Sequence, residues 1–130
     1  MATPLILIVD DDKLTRWSVS RVLSRAGYRV QEAGTAAAGL VAIGRDRPDA
    51  VLLDIVLPDG DGFSVLRAIY ERHPRLPVIL ITAHGSEETA RTARDLGARG
   101  HLNKPCNPAE ICAALVRALD QSTAPDNSFR

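Results

Sequence analysis

The chain reads as one α/β domain, a doubly wound, five-stranded parallel sheet in the order 2-1-3-4-5. Three observations predict it. Apolar runs alternate with segments of helical periodicity from end to end, as βα units require. Three of the runs, Leu5–Val9, Ala50–Leu53 and Val78–Ile81, are apolar throughout, as strands covered on both faces must be. The other two are different: Tyr28–Glu32 alternates, and Arg99–Leu102 is short and polar, so these belong at the sheet edges. Right-handed crossovers between strands so placed leave 2-1-3-4-5 as the doubly wound order. At 130 residues the chain is long enough for one core and too short for a second.

The elements follow in order, several with their own end signals. After the first strand, a helix runs from about Leu14 to Ala26 and is stopped by Gly27. The second strand leads to a helix over about Thr35 to Arg45. The third strand ends on Asp54, and glycines 60 and 62 fit a following loop with positive-φ positions. A third helix covers about Phe63 to His73. The fourth strand ends at Thr82, and the next helix, Ser86 to Leu96, has Ser86 as cap, Glu87 and Glu88 in its first turn and Gly97 as its stop. The fifth strand runs into Lys104. Asn107-Pro108-Ala109-Glu110 then supplies a cap, a first-turn proline and a capping-box acid for the last helix, Pro108 to Leu119. Residues 121–130 are polar and without periodicity, a disordered tail or the start of a linker after a domain spanning 1–120.

Composition excludes several classes. Lys plus Arg (16) balances Asp plus Glu (16), and aromatics are 4%, which argues against a nucleic-acid interface. Cys106 and Cys112 have no zinc-ligand spacing and read as free thiols, Cys106 as a small buried one. The first apolar run is five residues long, ends in acids and has no basic region before it, so it is neither signal peptide nor membrane span; the expected location is the cytoplasm.

Chemistry enters with the acids. The order 2-1-3-4-5, which is flavodoxin-like, makes strands one and three neighbours at the topological switch point, where ligands bind outside the carboxyl ends of strands. Asp10, Asp11 and Asp54 meet there. At ~4 to 5 Å each like-charge pair repels by roughly 3 to 4 kcal/mol at an effective dielectric near 20, which gives a folding domain nothing, so a cation is meant to join them. An all-oxygen donor set suits a hard divalent ion, Mg²⁺ above all, which takes a few carboxylates plus a phosphate oxygen. Alone, an acid at a strand end is a loop cap. Here Thr82 ends the next strand and Lys104 the one beyond, roughly 10 Å from Asp54 at ~4.8 Å per strand, a gap a lysine stem mostly spans. Asp54 thus reads as a nucleophile for a phosphoryl group, with Lys104 and a metal neutralising charge and the Thr82 hydroxyl donating to the same oxygens.

Ile8-Val9-Asp10-Asp11-Asp12, Leu53-Asp54-Ile55-Val56-Leu57-Pro58-Asp59-Gly60-Asp61-Gly62, Ile81-Thr82-Ala83 and Asn103-Lys104-Pro105 together resemble the receiver domain of bacterial two-component response regulators. The resemblance runs from about Leu5 to Leu119. It implies a (βα)5 domain that takes a phosphoryl group from a histidine kinase or histidine phosphotransfer protein and switches a partner or an output domain. Such a domain catalyses only its own phosphorylation and dephosphorylation, and does not itself bind nucleic acid or membrane. By resemblance Asp54 is the phosphoacceptor, Asp11 the direct Mg²⁺ ligand, Asp10 its water-mediated neighbour, Val56 a ligand through its backbone carbonyl, Thr82 the switch hydroxyl and Lys104 the conserved-type lysine. Asp12 has two readings, a contact in the metal's water shell or the cap of the first helix. The Lys104–Pro105 peptide matches one that is cis in the family. Partners or a second copy would dock on the face of the fourth helix, fifth strand and fifth helix.

Three positions depart from the commonest pattern. His101 stands where Tyr or Phe is the rotating ring of the switch, which implies a weaker, pH-sensitive coupling or a ring that stays solvated. Cys106 replaces a frequent Phe, and Gly60 a frequent Met. Trp17 after Arg16, and His73-Pro74-Arg75-Leu76-Pro77 with Thr82-Ala83-His84, resemble receivers of nitrogen-regulatory transcription activators. A stand-alone phosphorelay intermediate is the alternative to a regulator with an output domain. A haloacid-dehalogenase-type phosphohydrolase would need a second acid where Val56 stands, and a flavin carrier a hydroxyl-rich loop where the three acids stand.

Overall fold

In a computed structural model, which describes residues 3–83 and 85–121, the five long strands lie in one parallel sheet. They are β1 (Leu5–Val9), β2 (Arg29–Ala33), β3 (Ala50–Asp54), β6 (Val78–Thr82) and β7 (Gly100–Asn103), in the spatial order β2-β1-β3-β6-β7. Counting long strands only, that is 2-1-3-4-5, and β2 and β7 are the edges. The apolar strands β1, β3 and β6 fill the centre because each must bury both faces. The polar residues of the edge strands keep partial access to water.

Alternation within each central strand splits the core in two. On one face Leu7, Val9, Val51, Leu53, Val78 and Leu80 pack against α2 (Ala36–Asp46), α3 (Gly62–Arg72) and α4 (Glu87–Asp95). On the other, Ile6, Ile8, Leu52, Ile79 and Ile81 meet α1 (Lys13–Arg25) and α5 (Pro108–Gln121). Ile6, Leu7, Leu52, Leu53, Ile79 and Leu80 are fully buried.

The end signals act as their chemistry requires. Gly27 and Gly97 take φ of 97° and 104° just past α1 and α4, where a side chain would strain the backbone. Each completes a Schellman motif: Tyr28 N–H donates to the Leu23 carbonyl at 3.0 Å, and Ala98 N–H to the Ala93 carbonyl at 2.9 Å. Ser86 caps α4 through the Thr89 N–H at 3.1 Å. Asn107 and Glu110 close the capping box of α5, with Glu110 N–H donating to Asn107 Oδ1 at 2.8 Å. Residues 122–130, and so nearly all of the expected tail, lie outside the described residues, as does His84.

Two expectations for the segment after Asp54 are corrected. It is not a plain loop, because β4 (Val56–Leu57) and β5 (Gly60–Asp61) form a short antiparallel hairpin across Pro58-Asp59. Nor do Gly60 and Gly62 take positive φ. Gly62 is required for space: a Cβ there would run into the Asp54 carbonyl oxygen and lie 2.6 Å from the Ile55 Cα, while the Gly62 N–H donates to the Ile55 carbonyl at 2.5 Å. Around a Cβ on Gly60 there is nothing within 4 Å. Gly62→Ala should therefore cost about 1 to 3 kcal/mol, because backbone cannot step aside cheaply. Gly60→Ala should stay within about 0.5 kcal/mol, as an unobstructed surface change does. Urea denaturation of the two variants measures the contrast, and equal midpoints would refute it.

Candidate functional site

The sheet register brings the acids together. Val9 of β1 pairs with Leu53 of β3, so the next residues, Asp10 and Asp54, leave the two central strands side by side. Both are buried, Asp10 at 2% and Asp54 at 6% exposure, whereas Asp11 is exposed. Carboxylate oxygens of Asp10, Asp11 and Asp54 all lie within 4.8 Å of one another, close enough to share one cation.

Lys104 answers from the far side. β7 pairs with β6 through Thr82 and Asn103, and the Lys104 N–H donates to the Thr82 carbonyl at 2.8 Å, which starts the lysine stem beside Thr82. From there Nζ stands 2.7 Å from Asp10 Oδ2 and 3.1 Å from Asp54 Oδ2. The contact with Asp54 follows from the strand spacing. The shorter one, with Asp10, went unforeseen, although the β1–β3 register that places Asp10 beside Asp54 was its available signal. The Lys104–Pro105 peptide is cis.

One ammonium shared by two buried acids has unequal effects on the partners. Burial works against the lysine's charge, but hydrogen bonds to Asp10 and Asp54 outweigh it and hold the Lys104 pKa above the ordinary lysine value. Asp54 gains less: burial pushes its pKa up, Lys104 pulls it down, and the Asp10 charge pushes it up again, leaving it raised. The apo site thus carries more negative charge than its lysine can neutralise.

Local hydrogen bonds fix the remaining groups. Asp54 Oδ1 accepts from the Val56 N–H at 3.3 Å, and Asp10 Oδ1 from the Asp12 N–H at 2.9 Å. Asp12 turns away from the cluster and caps α1, accepting from the Leu14 N–H at 3.0 Å and the Thr15 hydroxyl at 2.7 Å, with its pKa lowered first by the Thr15 bond. The cap reading of Asp12 is therefore the one its contacts support. Thr82 is buried at the end of β6. His101, opposite Leu80 on β7, is half-buried rather than fully solvated, and its Nε2 is shielded with no hydrogen-bond partner among the described residues. A Cβ on Gly85 would lie 2.9 Å from His101 Nε2 and 3.0 Å from Thr82 Cγ2, so the two side chains converge on that glycine. Cys106 is only partly buried, its thiol donating to the Asn103 carbonyl at 3.3 Å.

Two supporting residues escaped the sequence reading. Asp59, in the hairpin turn, accepts from the Ala36 and Ala37 N–H groups at 2.7 and 3.0 Å and so caps α2 from 23 and 22 residues away. Arg16 donates to the Asp10 carbonyl at 2.6 Å. The partners of Asp59 are far away in sequence, Asp10 is six residues from Arg16, and no periodic pattern announces either contact.

Residues 6–116 match the model of the response regulator receiver domain. The chain belongs to that family. Over 114 residues, 88% of this chain, it is 39% identical to the DNA-binding transcriptional regulator NtrC of Proteus hauseri, but it spans 24% of that relative's length. Over 123 residues, 95% of this chain, it is 39% identical to the response regulator MprA of Mycobacterium leprae (strain TN), and spans 54% of it. Among solved structures, the CheY-like receiver domain protein of Methanospirillum hungatei JF-1 superposes with a TM-score of 0.90 at 31% identity, covering 95% of this chain and 99% of that one. The receiver is thus a signalling module of two-component systems rather than a classical enzyme, and its resemblance to nitrogen-regulatory receivers extends over the whole domain.

The raised pKa of Asp54 has a definite consequence for stability. The folded receiver holds that proton more tightly than the unfolded chain, so ionisation of Asp54 removes stability as pH rises from the unfolded value through the folded one. Asp54→Asn should stabilise the metal-free protein at pH 7 by on the order of 1 kcal/mol. The gain should vanish below about pH 3, where Asp54 is protonated in both states. Denaturant titrations in chelator check it; a less stable variant at pH 7 would mean that the Lys104 contact outweighs burial and Asp10.

Proposed function

We propose that this receiver accepts a phosphoryl group on Asp54 in a Mg²⁺-dependent reaction. The convergence of Asp10, Asp11 and Asp54 on one point, bridged by Lys104, carries the reading. The donor set fits the ion: it is all oxygen, and its charge exceeds what Lys104 neutralises. Asp11 would hold Mg²⁺ directly, Asp10 through water, with Asp54 and the Val56 carbonyl completing the protein ligands. When bound, Mg²⁺ neutralises charge on the phosphoryl oxygens and orients them.

The chain's own residues do the rest. An Asp54 oxygen forms the bond to phosphorus as the bond from phosphorus to the donor's imidazole nitrogen breaks. Lys104 moves from a carboxylate partner to a phosphoryl oxygen, and the Thr82 hydroxyl donates to another. The added charge of about −1.5 to −2 draws both inward, and His101, converging with Thr82 on Gly85, follows into the space Thr82 leaves. That movement would reshape the face of α4, β7 and α5, where a partner or a second copy docks. The donor is a histidine kinase or histidine phosphotransfer protein, and the state passes to an output domain, by analogy with NtrC a transcriptional one, through a linker beginning near residue 121. No helix of the described residues is long and apolar enough to cross a membrane, which is compatible with work in the cytoplasm.

Acetyl phosphate with Mg²⁺ should label Asp54 alone, and mass mapping should find no label in Asp54→Asn. Label at wild-type yield in that variant would remove Asp54 as acceptor. For the switch, His101→Tyr should raise beryllofluoride-induced self-association or partner binding several-fold, because the larger ring buries more area. Indistinguishable binding curves would remove His101 from the mechanism.

A further inference from the structure

Among the described residues, no hydrogen bond or ion pair holds the carboxylate of Asp11. What the carboxylate can reach is therefore limited by where the backbone puts the Asp11 Cα, and so by the plane of the Asp10–Asp11 peptide. The oxygen of that peptide, the Asp10 carbonyl, receives Arg16 Nη1 at 2.6 Å. Arg16 is a first-turn residue of α1 whose N–H donates to the Asp12 carbonyl at 3.0 Å, and its side chain is only 17% exposed. Its Nε donates to Glu32 Oε1 of β2 at 3.1 Å, which fixes the rotation of the guanidinium plane. A Cβ on Gly34 would lie 3.2 Å from Nη1, so the bare backbone of the turn after β2 leaves the guanidinium its room. Three segments thus converge on one cation whose inward contact is the peptide between the two acids.

We propose that Arg16, oriented by Glu32, is a positioning residue that aims the Asp11 carboxylate at the divalent ion. The inference rests on the Mg²⁺ reading above. It predicts a sign that charge alone would reverse. As a mere countercharge, Arg16 would repel a cation, and neutralising it would tighten Mg²⁺ binding. As a positioning residue, its loss loosens Mg²⁺, and Lys cannot replace it, since an ammonium keeps the charge but lacks the planar fork that reaches carbonyl and carboxylate together.

The test titrates Mg²⁺ into the full chain by amide chemical shift, for wild type, Arg16→Gln, Arg16→Lys and Glu32→Gln. Both Arg16 variants should bind Mg²⁺ about 10-fold more weakly, the lower end of what outer-shell partners of metal ligands cost, and Glu32→Gln about 2- to 3-fold more weakly. Without metal, the Asp12 N–H, which donates to Asp10 Oδ1 at 2.9 Å, should exchange faster in the Arg16 variants. Acetyl phosphate labelling should need more Mg²⁺ for half-maximal rate yet reach the wild-type rate at saturation. Unchanged or tighter Mg²⁺ binding by folded Arg16→Gln would overturn the proposal. If that variant does not fold, wild-type affinity in Glu32→Gln overturns it instead. A wild-type protein that neither binds Mg²⁺ nor labels would sink the Mg²⁺ reading itself, whereas normal wild-type behaviour with unaffected variants would sink only the role of Arg16.

Discussion

Asp10 and Asp54 lie side by side at the ends of the two central strands because the register of the sheet leaves them no other place, and both are buried. Two like charges at such separation repel by roughly 3 to 4 kcal/mol at an effective dielectric near 20. Among the described residues Lys104 is the one cation paired with the two carboxylates, and its single charge is divided between them at 2.7 and 3.1 Å. With Asp11 added, the apo site is under-neutralised by design of the strand order. The strain is useful: any ligand bringing positive charge lowers the energy of a site that folding alone leaves high.

Such a cluster works only if the backbone beneath it cannot relax. Two separate anchors prevent that. On one side the Asp10 N–H donates to the Ala33 carbonyl at 3.0 Å and Arg16 holds the Asp10 carbonyl, so the acid pair is tied to the edge strand β2 and to α1. On the other, Gly62 lets the start of α3 press against the Asp54 backbone, while Asp59 stitches the hairpin to the N-terminus of α2. Asp59 also complements the α2 dipole, and the Ala37 and Ala36 N–H bonds hold its pKa below the ordinary carboxylate range. The acid pair and Asp54 are therefore fixed from opposite faces of the sheet.

What was legible in the sequence was what repeats or punctuates. Strand order followed from which runs were apolar on both faces, and helix ends from Gly27, Gly97, Ser86 and Asn107, because caps are local chemistry. The third and fourth strands end at Asp54 and Thr82 as expected, whereas the fifth is shifted by one residue, to Gly100–Asn103. The β4–β5 hairpin was invisible, since two-residue strands carry no periodicity. Gly62 was read as a conformational glycine when it is a steric one, a distinction that depends on what lies opposite. Arg16 and Asp59 act across the fold on backbone groups, and backbone partners leave no trace in composition.

The sides of the sheet also differ in how firmly they are held. α3 buries Gly62, Val65, Leu66 and Ile69, whereas α4 buries Ala93 alone. A helix with so little apolar anchorage moves at low cost, because few contacts are lost when it shifts. It follows directly after Gly85, on which Thr82 and His101 converge, and His101 keeps out of water a nitrogen that has no hydrogen-bond partner among the described residues. An unsatisfied buried group makes the resting arrangement less favourable than a fully paired one would be. The helix beside Thr82 and His101 is thus held by far fewer buried side chains than α3, which packs under Asp54.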